Sequence, residues 1–272
     1  MLFGTAGVPN SSKDRSTFGG IKRIRELNLD CMEVQFVRGV KMSEKKAMGI
    51  GKLAKSLNVV LSIHAPYYVN LNAESEIKIR QSIQRLLDSV RIGVLLNAKN
   101  IVFHAGYYMR SSRETAYRRV KEALEVLTDM IEHDIILRVE TTGKRNQFGE
   151  IEEVLRLSEE IDKVMPCLDI SHIHARTRAY NSYDEFISLF ELIESRLGND
   201  AIRDMHIHIS GIEYDLKGEK RHLNLKESDF NYLDFLKALK DFNAEGRVIS
   251  ESPNLEEDAL MLKDLYSKLD KD

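Results

Sequence analysis

Cys167-Leu168-Asp169-Ile170-Ser171-His172-Ile173-His174 is the stretch on which the reading of this fold turns. The residues leading into it, 164–168, are apolar apart from Pro166, so the run reads as a buried strand that stops on an acid. Past the acid the chain leads out through two histidines. An acid and an imidazole at a strand end are metal-ligand types, although a single such pair is more often a helix cap beside a surface histidine. Repetition decides between the two. Along the whole chain, apolar strand-like runs alternate with helical ones, and nearly every strand-like run closes on His, Asp or Glu.

Toward the N-terminus, residues 3–7, 31–36, 59–63, 100–103 and 135–139 read as strands, the last three closing on His64, His104 and Glu140. Helical runs cover 16–27, 45–57, 74–96 and 113–132. The run 74–96 carries Ile79, Ile83, Leu86, Leu87, Val90, Val94 and Leu95 on one amphipathic face. Toward the C-terminus, helices are predicted at 151–161, 183–197, 230–242 and 258–269. Strands are predicted at 202–210 and at 247–250, the latter closing on Glu251. With a period of two, His206 and His208 point to the same side of strand 202–210. The segment that follows, through Gly211, Gly218 and His222, reads as a long charged loop. Eight strands alternating with helices predict a single α/β domain over residues 1–272, a (β/α)8 TIM barrel, and the length fits the about 250 residues typical of one.

Hydrophobic residues make up 43% and charged residues 31% of the chain, as in water-soluble globular proteins. No apolar run approaches the roughly 18 residues that span a bilayer, so no membrane partner is expected. The N-terminal residues lack the pattern of a secretory signal, which predicts a cytoplasmic location. A net charge of −3 gives no general attraction for polyanions, so nucleic-acid binding would need a local basic surface. Cys31 and Cys167 fall in separate strands and read as buried reduced thiols.

In such a barrel all strands open their C-terminal ends onto one face. His64, His104, Glu140, Asp169, a histidine of strand 202–210 and Glu251 would converge there, with His172 and His222 close behind. Burying so many ionisable groups costs several kcal/mol apiece, by order of magnitude, unless they are paired or bind metal. Imidazoles mixed with carboxylates suit zinc best, with manganese or iron as alternatives; magnesium would take more oxygen.

Ser62-Ile63-His64-Ala65-Pro66-Tyr67, Phe103-His104-Ala105-Gly106, Val139-Glu140-Thr141-Thr142-Gly143, Leu168-Asp169-Ile170-Ser171-His172, His208-Ile209-Ser210-Gly211, Arg221-His222 and Ser250-Glu251-Ser252-Pro253 resemble, in order, the metal-ligand motifs of the endonuclease IV family, here as an archaeal-type variant. The resemblance implies a xylose-isomerase-like barrel. It also implies a zinc-dependent apurinic/apyrimidinic endonuclease, a phosphoric diester hydrolase of base-excision repair that cleaves double-stranded DNA 5′ to abasic sites. Carried over residue by residue, it implies one zinc on His64, His104 and Glu140. A second would sit on Glu140 as a bridge with Asp169, Glu251 and either His206 or His208, the motif favouring His208. A third would sit on His172 and His222.

Two or three Zn2+ are thus implied, with Mn2+ an alternative in one site, and Glu140, Glu251 and Asp169 as the catalytic carboxylates. Arg38, Tyr67 and Tyr68 resemble a loop that reads DNA through the minor groove, with rim packing as the plainer alternative. Phosphates would fall to Arg110, Arg113, Lys144, Arg145, Arg176, Arg178, Lys220 and Arg221. A monomer is expected. One departure stands out: the family places an aspartate two residues before the last histidine, and this chain has Lys220 there, with Glu219 one residue off. The alternative reading is a single-metal sugar isomerase or epimerase of the same barrel superfamily. It would use Glu140, Asp169, Glu251 and a histidine of strand 202–210, and leave His64, His104, His172 and His222 unexplained. A lesion-binding module without catalysis would fit the Lys220 departure.

Overall fold

Short aliphatic runs leave backbone N–H and C=O groups that only a neighbouring strand can satisfy, and closing the sheet removes its edges altogether. The computed structural model describes residues 1–269. Its first half alternates strictly: β1 (Leu2–Ala6), α1 (Thr17–Glu26), β2 (Cys31–Gln35), α2 (Glu44–Ser56), β3 (Val60–His64), α3 (Glu76–Leu96), β4 (Asn100–Phe103), α4 (Arg113–Asp129), β5 (Ile136–Glu140) and α5 (Ile151–Glu160). The second half carries additions: β6 (Val164–Asp169), α6 (Ile170–Thr177), α7 (Tyr183–Leu197), α8 (Asn199–Arg203), β7 (Met205–Ile209), β8 (Gly211–Asp215), β9 (Gly218–Leu223), α9 (Tyr232–Asp241), β10 (Gly246–Ser250) and α10 (Glu256–Lys268).

Eight of these strands form a closed barrel in the order β1-β10-β7-β6-β5-β4-β3-β2, and every pair in it is parallel. This is the expected (β/α)8 architecture. Helix starts follow the sequence: Ser16, Ser43 and Ser112 each turn a side-chain oxygen onto a backbone N–H of the first turn. The helices then lay apolar stripes on the sheet. α7, for example, buries Phe186, Leu189, Phe190 and Ile193, and Phe186 meets Phe235 of α9 edge-on at 5.4 Å.

Three segments differ from expectation, and each bears on the site. Residues 202 and 203 end the short helix α8 rather than begin a strand, because Gly198 breaks α7 and Ile202 is buried by the turn that follows. Asp169 starts a helix as well as ending a strand. The charged segment after β7 is an antiparallel hairpin, β8–β9, that folds back over the barrel mouth.

Arg138 occupies the barrel interior two residues before Glu140 on the same face of β5 and is 1% exposed. Its guanidinium donates to Asn100 Oδ1 at 2.5 Å, to the Pro166 carbonyl at 3.3 Å and to the Asp204 carbonyl at 2.8 Å, and it pairs with the Asp204 carboxylate. Arg247 reaches the other Asp204 oxygen at 2.8 Å. Arg138→Ala should therefore lower stability by about 2–4 kcal/mol, since it opens a cavity and strands Asn100. Urea denaturation midpoints check this; an unchanged midpoint would show that the network contributes nothing.

Candidate metal centre

The polar strand ends meet because parallel closure leaves them nowhere else to go. β3 ends on His64, β5 on Glu140 and β6 on Asp169; β7 carries His208; His104 and Glu251 follow directly after β4 and β10. Glu140 is the hub. Its Oε2 lies 3.0 Å from His64 Nε2 and 3.7 Å from His208 Nδ1, while Oε1 lies 2.9 Å from His104 Nε2 and 3.3 Å from His172 Nδ1.

Asp169 divides its two oxygens between structure and site. Oδ1 caps α6 by accepting from the His172 backbone N–H at 2.7 Å, and Oδ2 turns inward to 3.2 Å from His172 Nδ1. The cap reading and the ligand reading of this residue are thus compatible. Glu251 Oε1 stands 3.5 Å from His208 Nδ1, and Oε2 stands 3.9 Å from His222 Nδ1. At the mouth the donors fall into three linked groups whose atoms lie within 4.8 Å of one another, His64, His104 and Glu140; Glu140, Asp169, His208 and Glu251; and Asp169, His172 and His222; a fourth group, Cys167, His206 and His208, lies fully buried beneath them. Glu140 joins the first to the second, and Asp169 the second to the third.

Burial alone would raise Glu140, but the imidazoles of His104, His172 and His208 hold it well below the usual carboxylate range. Asp169 is raised, first by burial and then, against the pull of His172, by Glu251 and Glu140. Burial disfavours a charged His64, yet the contact with Glu140 wins and lifts it to about 9. His172 and His208 are likewise held well above an ordinary imidazole despite burial, His172 chiefly by Asp169 and Glu140, and His208 by Cys167, Glu33 and Glu251. Protons on imidazoles balance these carboxylates in the absence of any other cation.

Glu140 Oε1, Asp169 Oδ2 and His208 Nδ1 are buried without a hydrogen-bond partner. Each such orphan costs roughly 1–3 kcal/mol. His104 Nε2 and Glu140 Oε1 are 2.9 Å apart without making a hydrogen bond. They converge on a shared point instead of facing each other, which is how ligands around a cation sit. The mixed N and O donor set fits zinc, with manganese second. The first two groups could each hold a divalent ion.

The third group resolves the Lys220 departure. Within the hairpin, Glu213 opposes Arg221 and Tyr214 opposes Glu219, so Lys220 is the extra residue of a β-bulge. The bulge turns Glu219 and His222, three residues apart, to one side. Glu219 Oε2 comes to 3.5 Å from His172 Nε2, and His222 Nε2 comes to 3.1 Å from the same nitrogen. Lys220 is half exposed and pairs with Glu213. Gly143 makes the approach feasible: a Cβ there would sit 2.6 Å from Glu219 Cβ and 3.1 Å from His172 Cδ2.

His206 lies a layer deeper than His208, bonded through Nε2 to Glu33 Oε2 at 2.9 Å, and burial lowers it to about 3. The Tyr67 ring stands 5.7 Å from that of His64 at the mouth; Tyr68 is 62% exposed, and Arg38 is exposed on the adjoining loop, tied in by the Tyr67 N–H to the Val37 carbonyl. His174 turns away to Asp229 and to the edge of Tyr214. Of the basic candidates, Arg176 is buried and spends its donors on Thr142, Lys144 and Gln147, while Arg113 pairs with Glu150. Arg110, Lys144, Arg145 and Arg178 stay exposed. Sequence reasoning passed over Glu33; its signal was an acid on the alternating strand 31–36, where every neighbour is apolar or amide.

Residues 21–266 match a family described as xylose isomerase-like TIM barrel. An uncharacterized protein of Methanocaldococcus jannaschii is 48% identical over 274 residues, covering 99% of this chain and 98% of its own length. A probable endonuclease 4 of Staphylococcus carnosus is 28% identical over 170 residues, or 60% of this chain and 56% of that protein. Among solved structures, a D-tagatose 3-epimerase-like protein superposes with a TM-score of 0.76 at 21% identity over 98% of this chain and 96% of its own. Endonuclease IV from Thermus thermophilus gives 0.73 at 19% identity, covering 98% of each chain. Both structures share the barrel with this chain, and a shared barrel does not select a chemistry.

The raised imidazoles set a pH dependence. A His64 at about 9 in the folded chain, against 6.5 for an unperturbed imidazole, contributes stability in full below pH 6.5 and loses it as pH rises through 9, on the order of 3 kcal/mol. Chelator-treated protein should therefore melt at lower temperature at pH 9 than at pH 6.5, and excess zinc should flatten the profile. Thermal melts with and without chelator decide; a chelated protein indifferent to pH over that window would refute the account.

Proposed function

This chain belongs to the xylose isomerase-like TIM-barrel family, and from that premise we propose that it is a divalent-metal-dependent phosphodiesterase cleaving duplex DNA on the 5′ side of abasic sites, leaving a 3′-hydroxyl and a 5′-deoxyribose phosphate. One observation carries the reading: His64, His104, His172 and His222 extend the donor set beyond what one ion can use, into three linked groups. The probable endonuclease 4 relative supports it.

In this reading His64, His104 and Glu140 hold one ion, and Glu140, Asp169, His208 and Glu251 hold a second. His172 and His222, with Glu219 in place of an aspartate, hold a third. Zinc suits all three. Bound there, such ions supply Lewis-acid polarisation of the phosphodiester and a more acidic water. The chain's own residues do the rest. Each Glu140 oxygen faces one imidazole of the first group and one outside it, Oε2 lying by His64 and His208 and Oε1 by His104 and His172, so this carboxylate would be the one shared between ions. Glu251, 15% exposed where Glu140 and Asp169 are fully buried, faces the mouth and would orient the attacking water. Arg38, Tyr67 and Tyr68, on the loops beside His64, would hold a flipped-out sugar, and the exposed Arg110, Lys144, Arg145 and Arg178 would meet phosphates.

A second reading has its own support: Glu140, Asp169, His208 and Glu251 by themselves form a one-ion group, and the epimerase-like barrel superposes well. A single-ion sugar epimerase would need nothing more. Elemental analysis of the purified protein, followed by incubation with a duplex carrying one tetrahydrofuran abasic analogue and separately with ketohexoses, separates the two. More than one zinc with nicking supports the nuclease; one ion with sugar turnover overturns it.

Three variants sharpen the test. Glu140→Ala should cut nicking to under a few per cent, by order of magnitude, because it removes a donor from two ions at once; substantial residual activity would exclude the bridge. Glu219→Ala should lower metal content by one ion while Lys220→Asp leaves it unchanged, since the bulge directs position 220 away from His172. The opposite pattern in elemental analysis would place the third carboxylate at 220.

A further inference from the structure

Beneath the mouth lies a carboxylate that belongs to none of the three ligand groups. Glu33, from the middle of β2, is fully buried in the barrel. Its Oε2 accepts from His206 Nε2 at 2.9 Å and from Ser62 Oγ at 2.9 Å, and its Oε1 accepts from Gln35 Nε2 at 3.2 Å. The same Oε1 lies 3.0 Å from His208 Nε2, an ion-pair contact. The other nitrogen of that ring, Nδ1, faces Glu251 Oε1 at 3.5 Å and Glu140 Oε2 at 3.7 Å.

We propose that Glu33 is the positioning residue of the centre: it keeps the His208 proton on Nε2 and leaves the Nδ1 lone pair aimed between Glu140 and Glu251. This rests on reading the centre as a divalent-metal site. A carboxylate 3.0 Å from His208 Nε2 favours a hydrogen there and thereby a free lone pair on Nδ1. Glu33 is itself held by three donors from β2, β3 and β7, so the ring it faces has a fixed reference. His206 serves Glu33 rather than the ions, and its ring meets that of His208 edge-on at 5.5 Å.

A merely structural Glu33 predicts something different. Replacing a buried carboxylate by its neutral isostere relieves desolvation and would change folding stability without changing metal affinity. The experiment is zinc titration of metal-stripped protein against a chromophoric chelator, with wild type, Glu33→Gln, His208→Ala and the double variant, each melted in parallel without metal. Glu33→Gln should weaken binding of one zinc by roughly ten- to a hundredfold and leave other zinc binding unchanged. The double variant should bind no more weakly than His208→Ala, since one residue acts through the other. If Glu33→Gln does not fold, Glu33→Asp, which keeps the charge but withdraws it by a methylene, should show a smaller loss at the same ion. Wild-type zinc affinity in Glu33→Gln, or additive losses in the double variant, overturns the proposal alone. A wild-type protein that takes up no zinc overturns it together with the metal reading, whereas zinc uptake without nicking of abasic duplex removes the nuclease reading and leaves Glu33 in place.

Discussion

A parallel barrel sends the C-terminal end of every strand to the same side, and everything distinctive about this protein follows from what its strands carry there. Glu140 is the consequence at its sharpest: one buried carboxylate with His64, His104, His172 and His208 all within 3.7 Å. No helix packing or loop entropy favours such an arrangement, and the backbone closure that stabilises the sheet imposes it. Groups so close must share protons or cations. The raised imidazoles and the orphaned oxygens are two expressions of that one constraint.

The barrel interior meets this demand in layers. Arg138 closes the lower end through Asn100 and Asp204, Glu33 and His206 form the middle, and the converging donors form the top. Polar layers replace the aliphatic packing usual in such barrels, and they are tolerated because the Arg138 and Glu33 layers are closely hydrogen-bonded. The top layer leaves Glu140 Oε1, Asp169 Oδ2 and His208 Nδ1 without hydrogen-bond partners.

Over the mouth, the β8–β9 hairpin adds a part that the plain barrel lacks. Glu219 and Gly143 are joined by a backbone hydrogen bond of 3.1 Å, which docks the hairpin onto the loop after β5 and brings His222 and Glu219 beside His172. A bulge of one residue decides which side chain faces inward. Counting from His222 in the sequence selects position 220, whereas the folded strand selects 219. The histidines outside the Glu140, Asp169, His208 and Glu251 group, His64, His104, His172 and His222, enlarge the set of potential donors at this mouth.

The chain by itself determined the alternation of strand and helix, and with it the barrel, because apolar periods of two and 3.6 are local properties. It also marked His64, His104, Glu140, Asp169 and Glu251, since each stands at the end of an apolar run and strand ends are legible. Tertiary structure decided what periodicity leaves degenerate. His206 and His208 share a face in any strand, and only their depth in the closed barrel leaves His206 against Glu33 while His208 spans from Glu33 to Glu251. Glu33 itself looked like an ordinary alternating residue until closure placed β7 across the lumen from β2. The exchange of Lys220 for Glu219 needed a hairpin register, which is set by pairing between strands and by the turn at Gly218 rather than by spacing along one of them.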